Sequence, residues 1–192
     1  MTTYSAPTRD MQFVINELAG LTEVAALPAF AEQEVGPGLL EAVLEEAAKL
    51  ATEVLAPLNK VGDIQGARMS PKGVIPADGF AEAYRQFIEG GWNGIGCPAE
   101  FGGQGLPEII NTATQEMWNA ANMSFALCPL LNAGAIAAIS HVGSAEQKAR
   151  YLPKMISGEW TGTMNLTESQ AGSDLSAVRT RAVPDGDHYR IF

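Results

Sequence analysis

Residues 143–167 read GSAEQKARYLPKMISGEWTGTMNLT, and within this stretch the chain changes its structural pattern. Ser144 and Gln147 stand three apart, the spacing at which a hydroxyl and a side-chain amide cap each other's backbone N–H groups at a helix start. A helix is predicted from there to Ser157, stopped by Gly158. Beyond it, Trp160–Thr167 alternates and is rich in Thr, which predicts a strand. Ala177–Val183 predicts a second strand, Pro184–Asp187 a turn, and His188–Phe192 the returning strand, inside which the sequence stops. A sheet of two or three strands with an open edge is marginal on its own. The fold class is therefore mainly α: a helical bundle domain over 37–158, followed over 159–192 by the first strands of a truncated β domain. Residues 1–36 form an N-terminal extension with a docking helix.

Working back from Ser144, residues 129–142 (PLLNAGAIAAISHV) are apolar nearly all round, as in a helix buried at the centre of a bundle. Pro107 opens a helix through Ile109, Ile110, Ala113, Met117, Trp118 and Ala121. The loop Trp92–Leu106 precedes it. Asp78 is placed to cap a helix over 79–89 with Phe80, Tyr84, Phe87 and Ile88 on one face, ended by Gly90 and Gly91. Residues 59–77, punctuated by Gly62, Gly66, Pro71, Gly73 and Pro76, read as loop. Pro37 starts a long helix whose Leu40, Val43, Leu44, Ala47, Ala51, Val54 and Leu58 share a face, with Pro57 near its end. Glu45 and Lys49 stand in the favourable i,i+4 order. In 11–19, Phe13, Val14 and Leu18, with Leu21 beyond, form the docking face.

The 192 residues carry 12 Lys and Arg against 22 Asp and Glu, a net charge of −10, with 46% hydrophobic and 18% charged residues. This composition excludes a disordered acidic tail, and the acidic balance argues against nucleic-acid binding and against docking on an anionic membrane. No run is read as approaching the roughly 20 apolar residues that span a bilayer. The N-terminus lacks a signal-peptide pattern, so a cytoplasmic location is expected. Cys97 and Cys128 cannot make a disulfide scaffold, and no Cys/His spacing suggests a metal site. Neither cysteine neighbours a basic residue, so both read as buried small hydrophobes rather than nucleophiles.

Gly94–Ala99 (GIGCPA) fits the GxGxxA dinucleotide pattern, but a helix precedes it and Pro98 sits where the next helix should run, so a helix-to-helix loop is the better reading. Phe101–Gly105 is Gly-rich without the Lys-Ser/Thr of a phosphate loop; it is either a tight loop or a place where backbone approaches a ligand. His141 reads as a satisfied core histidine or one near a helix C-terminus, and His188 as a surface residue. The paired carboxylates Glu45/Glu46 and Asp185/Asp187 read as a solvated helix face and a turn. Residues 166–175 (LTESQAGSDL) differ. They follow a Thr-rich strand, supply hydroxyls at Thr167, Ser169 and Ser173, and include Gly172. Such a loop is a turn by composition, yet it could present neutral donors to a polar ring edge or a pyrophosphate.

Residues 163–181 (TMNLTESQAGSDLSAVRTR) resemble the flavin-binding signature of acyl-CoA dehydrogenases. Gly143–Glu159 resembles that family's helix leading into its β domain, and Gly94–Leu106 (GIGCPAEFGGQGL) its P-E-x-x-G-G-x-G loop. The resemblance covers residues 37–192, and Tyr4–Phe13 looks like the extension of a larger subfamily that includes 3-methylmercaptopropionyl-CoA dehydrogenases. It implies three domains, an N-terminal helical one, a middle β one and a C-terminal helical bundle, with FAD as cofactor, in homodimers or homotetramers. Met164, Leu166 and Thr167 would lie along the isoalloxazine, with Gly172 and Ser173 near the pyrophosphate or the acyl-CoA, so Ser173 is also a substrate-binding candidate. Asp174 would brace the loop and Glu168 would be structural. The implied reaction is α,β-desaturation of an acyl-CoA, with the α-proton passing to a Glu base and the β-hydride to flavin N5. Electrons then leave to an electron-transfer flavoprotein or similar acceptor. That base is expected beyond residue 192, and no catalytic residue is assigned within the chain. Two departures from the family pattern stand out: Ser169 where Pro is frequent, and Met164 where an aromatic is frequent. Other flavin chemistry on the same fold, or a non-catalytic module whose open strand at 188–192 recruits a partner, are the alternatives.

Overall fold

A computed structural model of the chain describes residues 4–30 and 33–192; residues 1–3 and 31–32, part of the expected 1–36 extension, lie outside the described residues. The first helix, α1 (Thr8–Phe13), runs into a π-helical turn at Val14–Leu18, and α2 (Leu21–Ala25) follows. Of the expected docking face only Leu21 is docked; Met11 and Ile15 take the place of Phe13, Val14 and Leu18. Met11, Ile15 and Leu21 are buried, whereas Phe13, Val14 and Leu18 are exposed. The stripe through Met11 and Ile15 packs toward α3 (Pro37–Lys49), which starts with Pro37 in its first turn behind Gly36.

The helix begun at Pro37 does not stop near Pro57. It passes through a second π-helical stretch, Leu50–Leu55, into α4 (Ala56–Gln65). Pro57 lies in the first turn of α4, and the widened turn before it accommodates a residue that cannot donate a backbone N–H. The extra residue per turn also resets the buried face. Leu40, Leu44, Ala47 and Ala51 are buried as predicted, but Leu50 and Leu55 join them while Val54 and Leu58 are only partly covered. Lys49 pairs with Glu46, three residues back, rather than with Glu45.

The segment read as loop over 59–77 thus contains the end of α4 and a hairpin, β1 (Arg68–Ser70) against β2 (Gly73–Ile75). Ser70 holds its turn: the hydroxyl accepts from Lys72 N (3.2 Å) and donates to Gly73 O (2.8 Å). Asp78 does not cap α5 (Phe80–Glu89). Gly79, at φ 85°, is the N-cap residue, and Asp78 instead exchanges hydrogen bonds with Gln65 at the end of α4. Three helices complete the bundle: α6 (Glu108–Ala121), α7 (Met123–Val142) and α8 (Ala145–Ile156). The Ser144/Gln147 capping box is formed at the start of α8.

The main core joins α1, α3, the Leu50–Leu55 turn, α5, α6 and the first half of α7. Phe87 sits at its centre, edge-on to Trp118 (5.8 Å) and Phe125 (5.7 Å), a geometry aromatic rings prefer over face-to-face stacking. A smaller cluster, Ile136, Leu152, Met155 and Ile156, joins α7 to α8.

Helix α7 corrects two expectations. It starts six residues before Pro129, because Asn122 caps it by accepting from Phe125 N. The helix expected over 129–142 is therefore longer, and Pro129 lies inside it. With 20 residues and a mean hydropathy of 1.6, α7 is long and apolar enough to cross a membrane by length and composition. It is also not buried on every side. Phe125, Ala126, Asn132 and Ile136 are buried, whereas Met123, Leu127, Leu130 and Val142 are exposed.

After Gly158 the expected strand at 160–167 is not formed as a ladder; these residues pair with no strand among the described residues. The predicted 177–183 strand is confined to β3 (Ala182–Asp185), which pairs antiparallel with β4 (His188–Ile191). The turn is Gly186-Asp187 rather than 184–187, with Gly186 at φ 67°, the conformation a two-residue hairpin loop demands of its first residue. The fold is a helical bundle with two short hairpins.

Candidate functional site

The segment that carries the candidate ligand residues is fastened to the bundle at alternate positions. Gly158 ends α8 at φ 78°, and a Cβ there would lie 2.3 Å from Ile88 Cγ2; Tyr84 Oη donates to its carbonyl (3.0 Å). Trp160 N donates to Lys154 O (3.0 Å), and Lys154 Nζ stands 4.6 Å from the centre of the Trp160 ring. Gly162 N donates to Asn132 Oδ1 (2.8 Å), and a Cβ at Gly162 would meet Ala135 Cβ at 2.3 Å. Only glycine lets the chain pass α7 this closely.

Past Gly162, Met164, Leu166 and Thr167 are exposed. Among the described residues, no hydrogen bond engages the backbone N–H groups of 163–167 or the polar side chains of Thr163, Asn165 and Thr167. The chain then closes on itself. Glu168 and Ala171 exchange backbone hydrogen bonds at 3.0 and 3.1 Å, and the Glu168 carboxylate accepts from Arg179 N (3.0 Å) and Thr180 N (2.9 Å). The Thr180 hydroxyl and these two backbone donors hold the Glu168 carboxyl down to about 2. Glu168 therefore clasps the loop, with its charge satisfied by backbone, and Asp174 braces it by accepting from Ser176 N (3.0 Å). Gly172 and Ser173 are exposed between these two clasps. Gly172 has open space where a Cβ would be and no positive φ, so nothing within the chain requires glycine there.

The segment 163–167 thus holds Met164, Leu166 and Thr167 in sequence, while Gly172 and Ser173 lie on the loop that follows. The donors on 163–167 are neutral: backbone N–H, two hydroxyls and a carboxamide. That set fits the pyrimidine edge of a flavin, which needs several neutral partners side by side.

The two glycine motifs upstream are structural. Gly94–Ala99 lies between two short 3-10 turns, Trp92–Gly94 and Ala99–Phe101. The 103–106 run folds back on it through Gln104 N to Gly94 O (2.8 Å), Gly105 N to Cys97 O (2.9 Å) and Leu106 N to Ile95 O (2.9 Å). A Cβ on Gly103 would fall 2.1 Å from Cys97 O, so the close approach of backbone here is to the chain itself.

Cys97 is half-buried beside a cavity of about 430 Å³ between this loop, α6 and α7, with Glu108 and Asn111 on one wall and Leu130 and Ala137 on another. Burial, with a contribution from Glu108, pushes the Cys97 thiol up to about 11, the opposite of what a nucleophile needs. Cys128, expected to be buried, is exposed, because α7 turns that face outward. His141 is exposed in the last turn of α7, and His188 contacts Asp187 at 3.0 Å on the surface.

Sequence reasoning passed over the residues that organise this region. Asn132 is fully buried, and its Nδ2 donates to Met155 O (3.0 Å) and Asn93 Oδ1 (3.3 Å). Asn93 Nδ2 in turn donates to Met155 O (2.7 Å) and Ile156 O (3.0 Å). A signal existed: Asn132 is the one strongly polar residue within 129–139, and a buried amide must find partners.

Comparison with known proteins agrees with this architecture. The acyl-CoA dehydrogenase N-terminal domain matches residues 37–159. The 3-methylmercaptopropionyl-CoA dehydrogenase of Ruegeria pomeroyi is 49% identical over 185 residues, which cover 96% of this chain and 31% of that protein. A glutaryl-coenzyme A dehydrogenase solved as a complex with glutaryl-CoA superposes with a TM-score of 0.68 at 25% identity, covering 80% of this chain and 37% of that one. An acyl-CoA dehydrogenase from Bacillus anthracis complexed with FAD shares the fold, with a TM-score of 0.62 at 22% identity over 83% of this chain and 26% of that one. The chain spans about a third of the length of the relatives it matches, and it belongs to the acyl-CoA dehydrogenase family.

Proposed function

We propose that the chain forms the helical wall and one flavin-contacting segment of an FAD-dependent acyl-CoA dehydrogenase that introduces an α,β double bond into an acyl-CoA thioester. The observation that carries this reading is the row of unengaged neutral donors on 163–167, held against the bundle by Gly162 in a chain of this family. The backbone N–H groups there and the Thr167 hydroxyl would hold the polar edge of the isoalloxazine, with Met164 and Leu166 along the ring. Gly172 and Ser173 would meet the pyrophosphate or the acyl-CoA. FAD, when bound, supplies the acceptor for the hydride leaving the β-carbon. The chain's part is to orient that cofactor and offer neutral donors where negative charge develops on it. Removal of the α-proton is assigned to a Glu outside the 192 residues, because Glu168 is committed to backbone donors.

The same reading includes an electron-transfer flavoprotein or similar acceptor, a homodimer or homotetramer, and a cytoplasmic location. The related enzymes named above act on methylmercaptopropionyl-CoA and glutaryl-CoA, which supports a CoA thioester as substrate class.

Titration of the purified chain with FAD, read as quenching of flavin fluorescence, tests the site. Quenching is expected. Thr167→Val, which keeps shape and removes the hydroxyl, should weaken binding about fivefold, the loss of one hydrogen bond of about 1 kcal/mol. Absence of quenching, or equal affinity of the variant, would remove the assignment of this segment to the flavin.

A further inference from the structure

We infer that Asn132 is a positioning residue: buried Asn132, paired with half-buried Asn93, sets where segment 163–167 leaves the bundle, and so where its donors stand for the flavin. This inference rests on the flavin reading above.

Four separate parts of the fold meet at this pair. Asn132 comes from the middle of α7, Asn93 from the loop after α5, Met155 and Ile156 from the end of α8, and Gly162 from the segment beyond it. Asn132 uses both ends of its amide. Its Nδ2 is spent on Met155 O and Asn93 Oδ1, which fixes the amide's orientation, and this leaves Oδ1 aimed at Gly162 N at 2.8 Å. Asn93 closes the arrangement by donating to both Met155 O and Ile156 O. The amide plane is therefore set by two acceptors on other elements before it takes up Gly162.

Gly162 is fixed from the other side by contact. Its Cα faces Ala135, and a side chain there would collide with it. Hydrogen bond and close packing together leave the backbone at 162 one place to stand, and the next residues carry the donors. Ligand-binding groups must be held within about 0.5 Å to function. The segment itself has no strand partner among the described residues, so its position on the bundle side comes from this joint.

The test compares Asn132→Leu with Asn122→Leu in the full chain. Asn122 is equally buried, caps α7 and donates to Leu55 O (3.1 Å), but lies away from Gly162. Three readouts are taken: thermal midpoint, hydrogen exchange of the Gly162 amide, and FAD affinity by fluorescence quenching. Both variants should lower the midpoint. Asn132→Leu alone should speed exchange of the Gly162 amide by tenfold or more and weaken FAD by tenfold or more; Asn122→Leu should leave both within about twofold. Equal effects of the two variants, or unchanged exchange in Asn132→Leu, would overturn the inference. If Asn132→Leu does not fold, Gly162→Ala perturbs the same joint from the segment side and should reproduce the exchange and affinity changes. A wild-type chain that does not bind FAD refutes the flavin reading, and the exchange comparison still decides whether Asn132 positions the segment.

Discussion

At the scale of single residues, Glu168 shows how a structural role can be legible while the partners that carry it are not. The Thr-Glu pair that leads into the Gly-Ser-Asp loop is visible in the sequence, and a carboxylate beside a proposed flavin invites assignment as a base. The structure gives it another task, since its oxygens accept from the N–H groups of Arg179 and Thr180, eleven and twelve residues on. Because its folded value of about 2 lies below the ordinary carboxylate range, the clasp contributes fully above roughly pH 4.5. It is lost as pH falls through about 2. The amide resonances of Arg179 and Thr180 should therefore titrate with a midpoint near 2 in the wild-type chain, and Glu168→Gln should abolish that titration. A midpoint near 4.5 would mean that the clasp is not formed. Asn132 stands out by its polarity, but what it and Asn93 do was illegible for a different reason. What a buried amide does depends on which distant backbone groups surround it, and no local pattern records that.

At the scale of elements, local chemistry was legible wherever it was sufficient. The Ser144/Gln147 box was readable because both partners lie within one turn, and it is formed in full. Ser144→Ala should cost about 1 kcal/mol, measured as a shift of the urea midpoint at unchanged slope; an unchanged midpoint would show that α8 is held by its packing alone. Legibility failed where an element depends on a partner. Residues 160–167 have a strand's composition but no ladder among the described residues, whereas β4 falls where the returning strand is expected, though β3 and the turn lie further along the chain than the sequence predicts. Pro57 is expected near the end of its helix and Pro129 at the edge of the stretch 129–142, and both lie inside continuous helical runs. The missing donor of Pro57 is tolerable in the first turn of α4, after a π-helical stretch that sequence alone does not reveal; Pro129, in the second turn of α7, has no such stretch before it.

At the scale of the whole molecule, the helical bundle was legible from apolar spacing and the family from three motifs in order. The exposure of α7 was not. Uniform apolarity says that a helix avoids water, but not which of its faces the rest of the chain covers. On the proposed reading, the bundle and segment 163–167 orient and bind, and the α-proton passes to a Glu outside these residues. Acyl-CoA-dependent reduction of an artificial dye by the purified 192-residue chain with added FAD should therefore be undetectable. Turnover above the free-flavin control would locate a base inside these residues. The π-helical stretch at Leu50–Leu55 has a consequence of its own. It carries one surplus residue between two ordinary helical runs, so α4 is phased by counting. One residue more or fewer there would swing α4 by about 100°, carrying Gly62 away from the Phe80 ring it now adjoins. An insertion or deletion in this part of the chain would therefore rephase every contact that α4 makes further on.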